Sequence, residues 1–502
     1  MRQVSISLFI VATLLCVTTV SAEVGLPAVF GNHMVLQRGQ PLPVWGTASP
    51  GERISLTLGN ETQRTVTNQN GRWLVKFASR QASNQPLTLT IAASNTITFT
   101  DILIGEVWLC AGQSNMHWPL KKAASGEAEA ASAHLPKLRL LNLRGNPYPD
   151  NREFTEQERA DCAPEKYLTG SWAVASPQTA AEFSAVAFYF GRELLDKLNV
   201  PIGLIHNAIG GTPTEAWISE HTLQNEPALK PLLANWFSND LIHSFCRERA
   251  SVNLRRGLFT ARHPYQPGFM YEAGIAPLIP FALRGVIWYQ GESNAHNAAL
   301  HDQLFLALIA EWRRAWGQGE FPFLFVQLPN MGTERGYPAE KWPEFRESQS
   351  QALRIPNTGM AVTIDVGDPA DVHPRNKREV GHRLALIARA RVYGEKIEYS
   401  GPVLKAVRAE GNKLRLSFSH STGGLMAKSN EELMGFEIAG TDGKFAPATV
   451  KTEGREIIVF SSQVSKPVAV RYGFAPNPRC NLVNGVGLPT SPFRARVRQS
   501  NG

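Results

Sequence analysis

The chain has 502 residues, of which 43% are hydrophobic and 19% charged, and a formal charge of +8. Its length exceeds one ordinary core and predicts about two to four domains, and its apolar content excludes wholesale disorder. The basic excess forms no dense Lys/Arg tract, which excludes a nucleic-acid module and leaves only mild attraction to anionic glycans or surfaces.

Met1-Arg2 precedes an apolar stretch from Leu8 to Val17, and Val20-Ser21-Ala22 ends in the small residues that signal peptidases require. Roughly ten strongly apolar residues are too few for a bilayer that needs about twenty, so residues 1–22 read as a cleaved export signal and not an anchor. Leu15 before Cys16 argues against lipid attachment. No later segment is apolar enough to span, so a periplasmic, extracellular or lumenal protein without stable membrane insertion is expected. Cys110, Cys162, Cys246 and Cys480 then remain. They allow three pairings, although Cys110 lies inside an apolar run and reads as a buried thiol. No Cys-x-x-Cys spacing suggests zinc.

From residue 23 to 100, short β-branched and aromatic runs such as Leu42–Gly46, Ile54–Leu58, Trp73–Phe77 and Leu87–Ile91 alternate with turn residues. This pattern predicts a small antiparallel sandwich. Residues 101–395 alternate strands with amphipathic helices. Strands are predicted at Val107–Ala111, Ile202–His206, Gly285–Gln290, Phe323–Leu328 and Gly359–Asp365, and helices at Ala185–Leu198, Leu300–Trp316, Pro343–Arg354 and Asn376–Tyr393. Such alternation predicts a parallel sheet covered by helices on both faces. Residues 121–172 and 235–266 lack periodicity and read as long loops near the active face. Residues 396–502 return to the β style, as in Lys413–Phe418 and Glu456–Phe460.

Four of the predicted strands end in residues suited to acyl chemistry. Val107–Ala111 runs into Gly112-Gln113-Ser114-Asn115-Met116, which places a serine hydroxyl at the carboxyl edge where open α/β sheets keep their sites. The serine can equally cap the next helix. Asn207-Ala208-Ile209-Gly210-Gly211-Thr212 follows the second strand, and its paired glycines allow backbone N–H groups close to a substrate oxygen. In Trp288-Tyr289-Gln290-Gly291-Glu292-Ser293-Asn294, Gln290 or Asn294 can donate to an oxyanion and Glu292 can hold the loop. Asp365-Val366-Gly367-Asp368-Pro369-Ala370-Asp371-Val372-His373-Pro374 supplies a histidine base, which a weakly nucleophilic serine needs, and carboxylates to orient it. The same aspartates can instead ligate calcium, but the alternating Ca-loop spacing is absent.

These four blocks, with Glu215 and Trp217 behind the second, occur in the order seen in the sialate O-acetylesterase-like branch of the SGNH hydrolases, which residues 101–395 resemble. The resemblance implies a flavodoxin-like, three-layer α/β domain flanked by N- and C-terminal β-sandwich-like modules. It implies Ser114 as nucleophile, His373 as base and then acid, and Asp371 as orienting carboxylate. Ser114, Gly211 and Gln290 would form the oxyanion hole, and Gln113, Asn115, Glu292 and Asn294 would contact substrate. The reaction implied is removal of acetyl from a sugar hydroxyl through an acetyl-enzyme, without metal or organic cofactor. Asp371 stands two residues before His373 where three is the superfamily habit, so Asp368 and Asp365 remain alternatives. Tyr271-Glu272-Ala273-Gly274 also departs from the Asn-containing segment expected there. Acetylated sialic acid and acetylated plant or algal polysaccharide such as xylan, xyloglucan or pectin are both open as substrates. A non-catalytic exported glycan-binding protein is the alternative from another class.

Overall fold

The central strand β1 (Thr96–Gly112) is exposed on alternate residues at its start and buried without interruption from Ile102 to Gly112. Its first half pairs with Ser83–Ala92 in the N-terminal β region, and its second half lies in the middle of a mostly parallel sheet. One strand therefore crosses the boundary expected at residue 100. In this computed structural model residues 23–255, 261–334 and 338–497 are described; the expected export signal at 1–22 lies outside them. Among the described residues no helix is long and apolar enough to cross a membrane.

The other strands of the central sheet are β2 (Leu135–Gly145), β3 (Trp172–Ala175), β4 (Ile202–Ala208), β5 (Gly285–Tyr289), β6 (Phe323–Val326) and β7 (Thr358–Ala361). Their spatial order is β3-β2-β4-β1-β5-β6-β7, and only β3 is antiparallel to its neighbour. Without the β2–β3 edge, chain order across the sheet reads 2-1-3-4-5, a doubly wound arrangement whose ligands bind beyond the strands' carboxyl ends.

Successive side chains of a strand face opposite ways, and both faces of β1 are apolar because both are covered. Val107, Leu109 and Ala111 pack into one cluster with Trp217, Trp288 and Trp312. Trp108 and Cys110 pack into the other with residues of helices α1 (Ala185–Leu198) and α3 (Lys377–Arg391). Helix α2 (Ala298–Trp316) contributes Trp312 to the first cluster. Ser184 caps α1 by accepting from Ala187 N–H and donates its hydroxyl to Met116 O at 2.6 Å, which ties α1 to the segment carrying Ser114. Among the described residues Cys110, Cys162, Cys246 and Cys480 are free thiols.

The C-terminal region forms two four-stranded antiparallel sheets and a two-stranded ribbon, with a core that includes Leu414, Leu416, Ile438, Ile457 and Val470. Buried Arg346 joins this region to the central sheet. It donates to Leu328 O and Pro329 O beyond β6, and to Ala475 O and Pro476 O of the C-terminal module, at 2.5–3.0 Å. Four carbonyls thus satisfy one desolvated guanidinium and hold two layers together.

Two segments expected as loops contain regular structure. Residues 121–172 include strand β2, and residues 235–266 include a helix over Ser244–Asn253.

Candidate active site

Gly112, Ala208 and Tyr289 are level in the sheet register, so the loops after β1, β4 and β5 leave the same edge side by side. Gly112 has φ of +139°, and a Cβ there would lie 2.1 Å from Tyr289 O. Only glycine fits this turn, and it throws Ser114 to the first position of a short helix, Ser114–His117, above the sheet.

His373 Nε2 lies 2.8 Å from Ser114 Oγ. The imidazole stacks on Trp118, with ring centres 5.1 Å apart and planes 20° from parallel. Burial lowers the affinity of His373 for a proton, the nearby Lys377 ammonium lowers it further, and Asp371 opposes both; the net shift is downward. Asp371 Oδ1 stands 3.7 Å from His373 Nδ1 and accepts instead from the backbone N–H of His373 at 2.8 Å. Asp365 is committed elsewhere, to Arg383 at 2.6 and 2.9 Å and to Lys428 at 2.8 Å. Asp368 accepts from Ala370 N–H within its own turn at 2.8 Å.

The Ser114–His373 pair opens into a cavity of about 570 Å³ lined also by Gln113, Gly210, Gly211, Glu292 and Ser293. The backbone N–H groups of Ser114 and Gly211 have no acceptor among the described residues, and a carbonyl oxygen placed beside Ser114 would find them free. Gly211 has φ of +79° and a Cβ there would meet Tyr265 Oη at 2.2 Å, so this position too is restricted to glycine.

Gln290, expected among the oxyanion donors, does not reach the cavity wall. It is fully buried, and its Nε2 donates to Asn294 Oδ1 at 2.6 Å and leans on Thr212 O at 3.4 Å. Its Oε1 accepts from Thr214 Oγ1 at 2.7 Å. Asn294, expected against substrate, accepts from Thr214 N–H and donates to Glu215 Oε2, both at 2.8 Å. Buried amides must find partners, and these two find each other and the loop behind Gly211. Desolvation raises the Glu215 carboxyl to about 7.

Gln113 and Glu292 do line the cavity, whereas Asn115 lies beneath it. Asn115 Nδ2 donates to Glu292 Oε1 and, at 2.9 Å, to Val372 O; its Oδ1 accepts from Lys377 Nζ. Gln113 Oε1 faces the N–H groups of Gly291 and Ser293 at 3.3 and 3.4 Å. Tyr271–Ile275 forms a π-helical turn outside this wall, with Glu272 paired to Arg262 at 3.1 Å.

Sequence reasoning placed no individual residue of the outer wall. Tyr148, Pro149, Asp150, Asn151, His243, Phe245, Arg249 and Tyr265 line it, all from the two segments without periodicity. Their only signal was aromatic and charged content within long irregular stretches.

A serine hydroxyl bonded to a histidine, beside free backbone N–H groups at the carboxyl edge of an α/β sheet, is the apparatus of an ester hydrolase. A family model described as carbohydrate esterase, sialic acid-specific acetylesterase, matches residues 266–389. The chain is 30% identical to the sialate O-acetylesterase of Mus musculus over 96% of its own length and 97% of the mouse protein. It is 29% identical to that of Homo sapiens, covering 93% and 91% of the two chains. A solved carbohydrate acetylesterase from Xanthomonas citri shares 36% identity with a TM-score of 0.79, over 94% of this chain and 99% of that one. The protein is thus a carbohydrate esterase. It belongs to the sialate O-acetylesterase family.

Proposed function

We propose that the protein hydrolyses acetyl esters on sugar hydroxyls, with Ser114 as nucleophile and His373 as its base. The observation that carries this reading is the 2.8 Å contact between His373 Nε2 and Ser114 Oγ at the floor of the cavity. As Ser114 Oγ bonds to the acetyl carbon, His373 Nε2 takes the hydroxyl proton and the carbonyl electrons move onto oxygen, held by the N–H groups of Ser114 and Gly211. Collapse breaks the bond to the sugar oxygen, which leaves with the proton from His373. Water then attacks the acetyl-enzyme, giving its proton to His373, and acetate leaves as Ser114 regains a hydrogen. Asp371 favours the imidazolium by charge across 3.7 Å. Gln290 and Asn294 act from below by fixing the Thr212–Thr214 segment behind Gly211.

The doubly wound strand order and the four ordered blocks support assignment to the SGNH hydrolases, with a catalytic region over 101–395 between β modules at 23–100 and 396–502. Export after removal of residues 1–22 completes the reading. Acetylated sialic acid is the substrate favoured by the mammalian relatives. A second reading, acetyl esters of other glycans, draws on the higher identity to the Xanthomonas citri carbohydrate acetylesterase. Acetate release from acetylated sialosides, xylans, xyloglucans and pectins, beside an aryl acetate, decides between them. Hydrolysis of the aryl ester with none of the glycans would contradict both.

A further inference from the structure

Lys377 is fully buried at the first position of α3. A cation is doubly disfavoured there, by desolvation and by the positive end of the helix dipole, so its surroundings must compensate. They do so with groups that belong to the active site. Nζ donates to Asn115 Oδ1 and lies 5.7 Å from the ring centre of Trp118 and 5.6 Å from that of Tyr289. Trp118 is the indole on which His373 stacks, and Asn115 holds Val372 O, the carbonyl next to His373 in the chain. Tyr289 is the strand end whose carbonyl receives Gln113 N–H at 3.0 Å beside the nucleophile.

We propose that Lys377 is a positioning residue for His373: locked by Asn115, Trp118 and Tyr289, it fixes the loop and ring that present Nε2 to Ser114 and keeps a positive charge beside that ring. This rests on the reading of Ser114 and His373 as the catalytic pair. The charged groups around the imidazole are Asp371 on its own loop, Lys377 on α3, Glu292 reached through Asn115, Lys122 over the Trp118 ring, and Asp150 and Arg249 on the outer cavity wall. Burial lowers Lys377 to about 7 although Glu292 and Asp371 pull the other way. His373 titrates below its ordinary 6.5, where Lys377 carries its proton. The ammonium therefore disfavours the imidazolium over the range in which the base would otherwise be lost, and extends activity toward acid pH.

The test is the pH profile of kcat/KM for an aryl acetate, measured on the full chain and on Lys377→Met, Lys377→Arg, Glu292→Gln and Lys377→Met with Glu292→Gln. Lys377→Met is expected to lower kcat on the order of 10²-fold with little change in KM. Its acid limb should move upward by a fraction of a unit to about one unit. Lys377→Arg should keep the limb near its original position even if the rate falls. Should Lys377→Met fail to fold, the double variant removes the cation together with its carboxylate counterpart and should show the same displacement relative to Glu292→Gln. A folded variant lacking the cation but with an unmoved acid limb overturns the proposal, as does failure of every cation-free variant to fold. Turnover that survives in Ser114→Ala would instead overturn the underlying reading of the pair.

Discussion

Asp371 Oδ1 receives the backbone N–H of His373 at 2.8 Å while standing 3.7 Å from Nδ1 of the same imidazole. The two-residue spacing produces this arrangement. A carboxylate two positions upstream closes a turn on the backbone and reaches the ring only by charge. With its side chain 53% exposed, that charge is also screened by water.

Asp371→Asn should therefore cost on the order of ten- to a hundredfold in kcat, short of the ~10⁴ seen when a buried triad aspartate is converted to asparagine. The amide oxygen can still close the turn. Since Asp371 raises the proton affinity of His373, the acid limb of the profile should move down. A loss of ~10⁴ would show that carboxylate and Nδ1–H bond directly during turnover.

Asp365 is a structural anion. Burial works to raise its carboxyl, but the hydrogen bonds and charge of Arg383, with Lys428 behind, outweigh burial and hold it below the ordinary value. A depressed carboxylate contributes stability above its unfolded pKa of about 3.9, which is lost as pH falls through the lower folded value. Asp365→Asn should cost about 1–3 kcal/mol at neutral pH, because buried Arg383 loses its bidentate carboxylate and keeps only Glu379 as counter-charge, at 2.9 Å, while the folded fraction keeps its kcat. Chemical denaturation with activity per folded molecule checks both halves. A large loss of kcat in a fully folded variant would make Asp365 the orienting acid after all.

Gln290→Ala separates a donor from a support. Removing the amide takes away the 2.7 Å acceptor of Thr214 Oγ1 and one of the donors to Asn294 Oδ1, leaving the longer Thr214 Oγ1–Asn294 Oδ1 bond of 3.1 Å, which should cost about 1–3 kcal/mol and lower Tm. The rate should fall by roughly tenfold through a loosened Gly211 loop. Asn294→Ala should behave in the same way. A loss of 10²–10³ in kcat with an unchanged Tm would instead restore Gln290 as a direct oxyanion donor.

Sequence periodicity read α1 over its full span, Ala185–Leu198, because Ser184 supplies a capping oxygen and Asn199 takes the left-handed conformation that ends the helix. The parallel strands were legible as unbroken apolar runs, since both faces are covered. Strand β2 escaped because Lys137, Arg139, Asn142 and Arg144 interrupt its apolar run, so that pairing to β3 and β4 and not local pattern decides its form. The boundary expected at residue 100 falls inside a strand, because β1 pairs with the N-terminal β region and then with the parallel sheet without a break. The placement of Ser114, His373 and Gly211 at one cavity wall could be read from residue type, because turn chemistry fixes where their loops leave the sheet. Gln290 could not, since a side chain beside a strand end can face the cavity or the layer below, and the partners that turn it inward, Thr214 and Asn294, come from two loops.

In the proposed mechanism Ser114 carries the acetyl group. Ser114→Ala, folded by circular dichroism and with unchanged Tm, should release acetate from an aryl acetate at least ~10³-fold more slowly than the native chain, leaving only the residual rate of the free N–H groups. A serine-directed organophosphonate should label the native chain at Ser114 and fail to label the variant. Acetate release near the native rate from folded Ser114→Ala, or a label on another residue, would contradict the account.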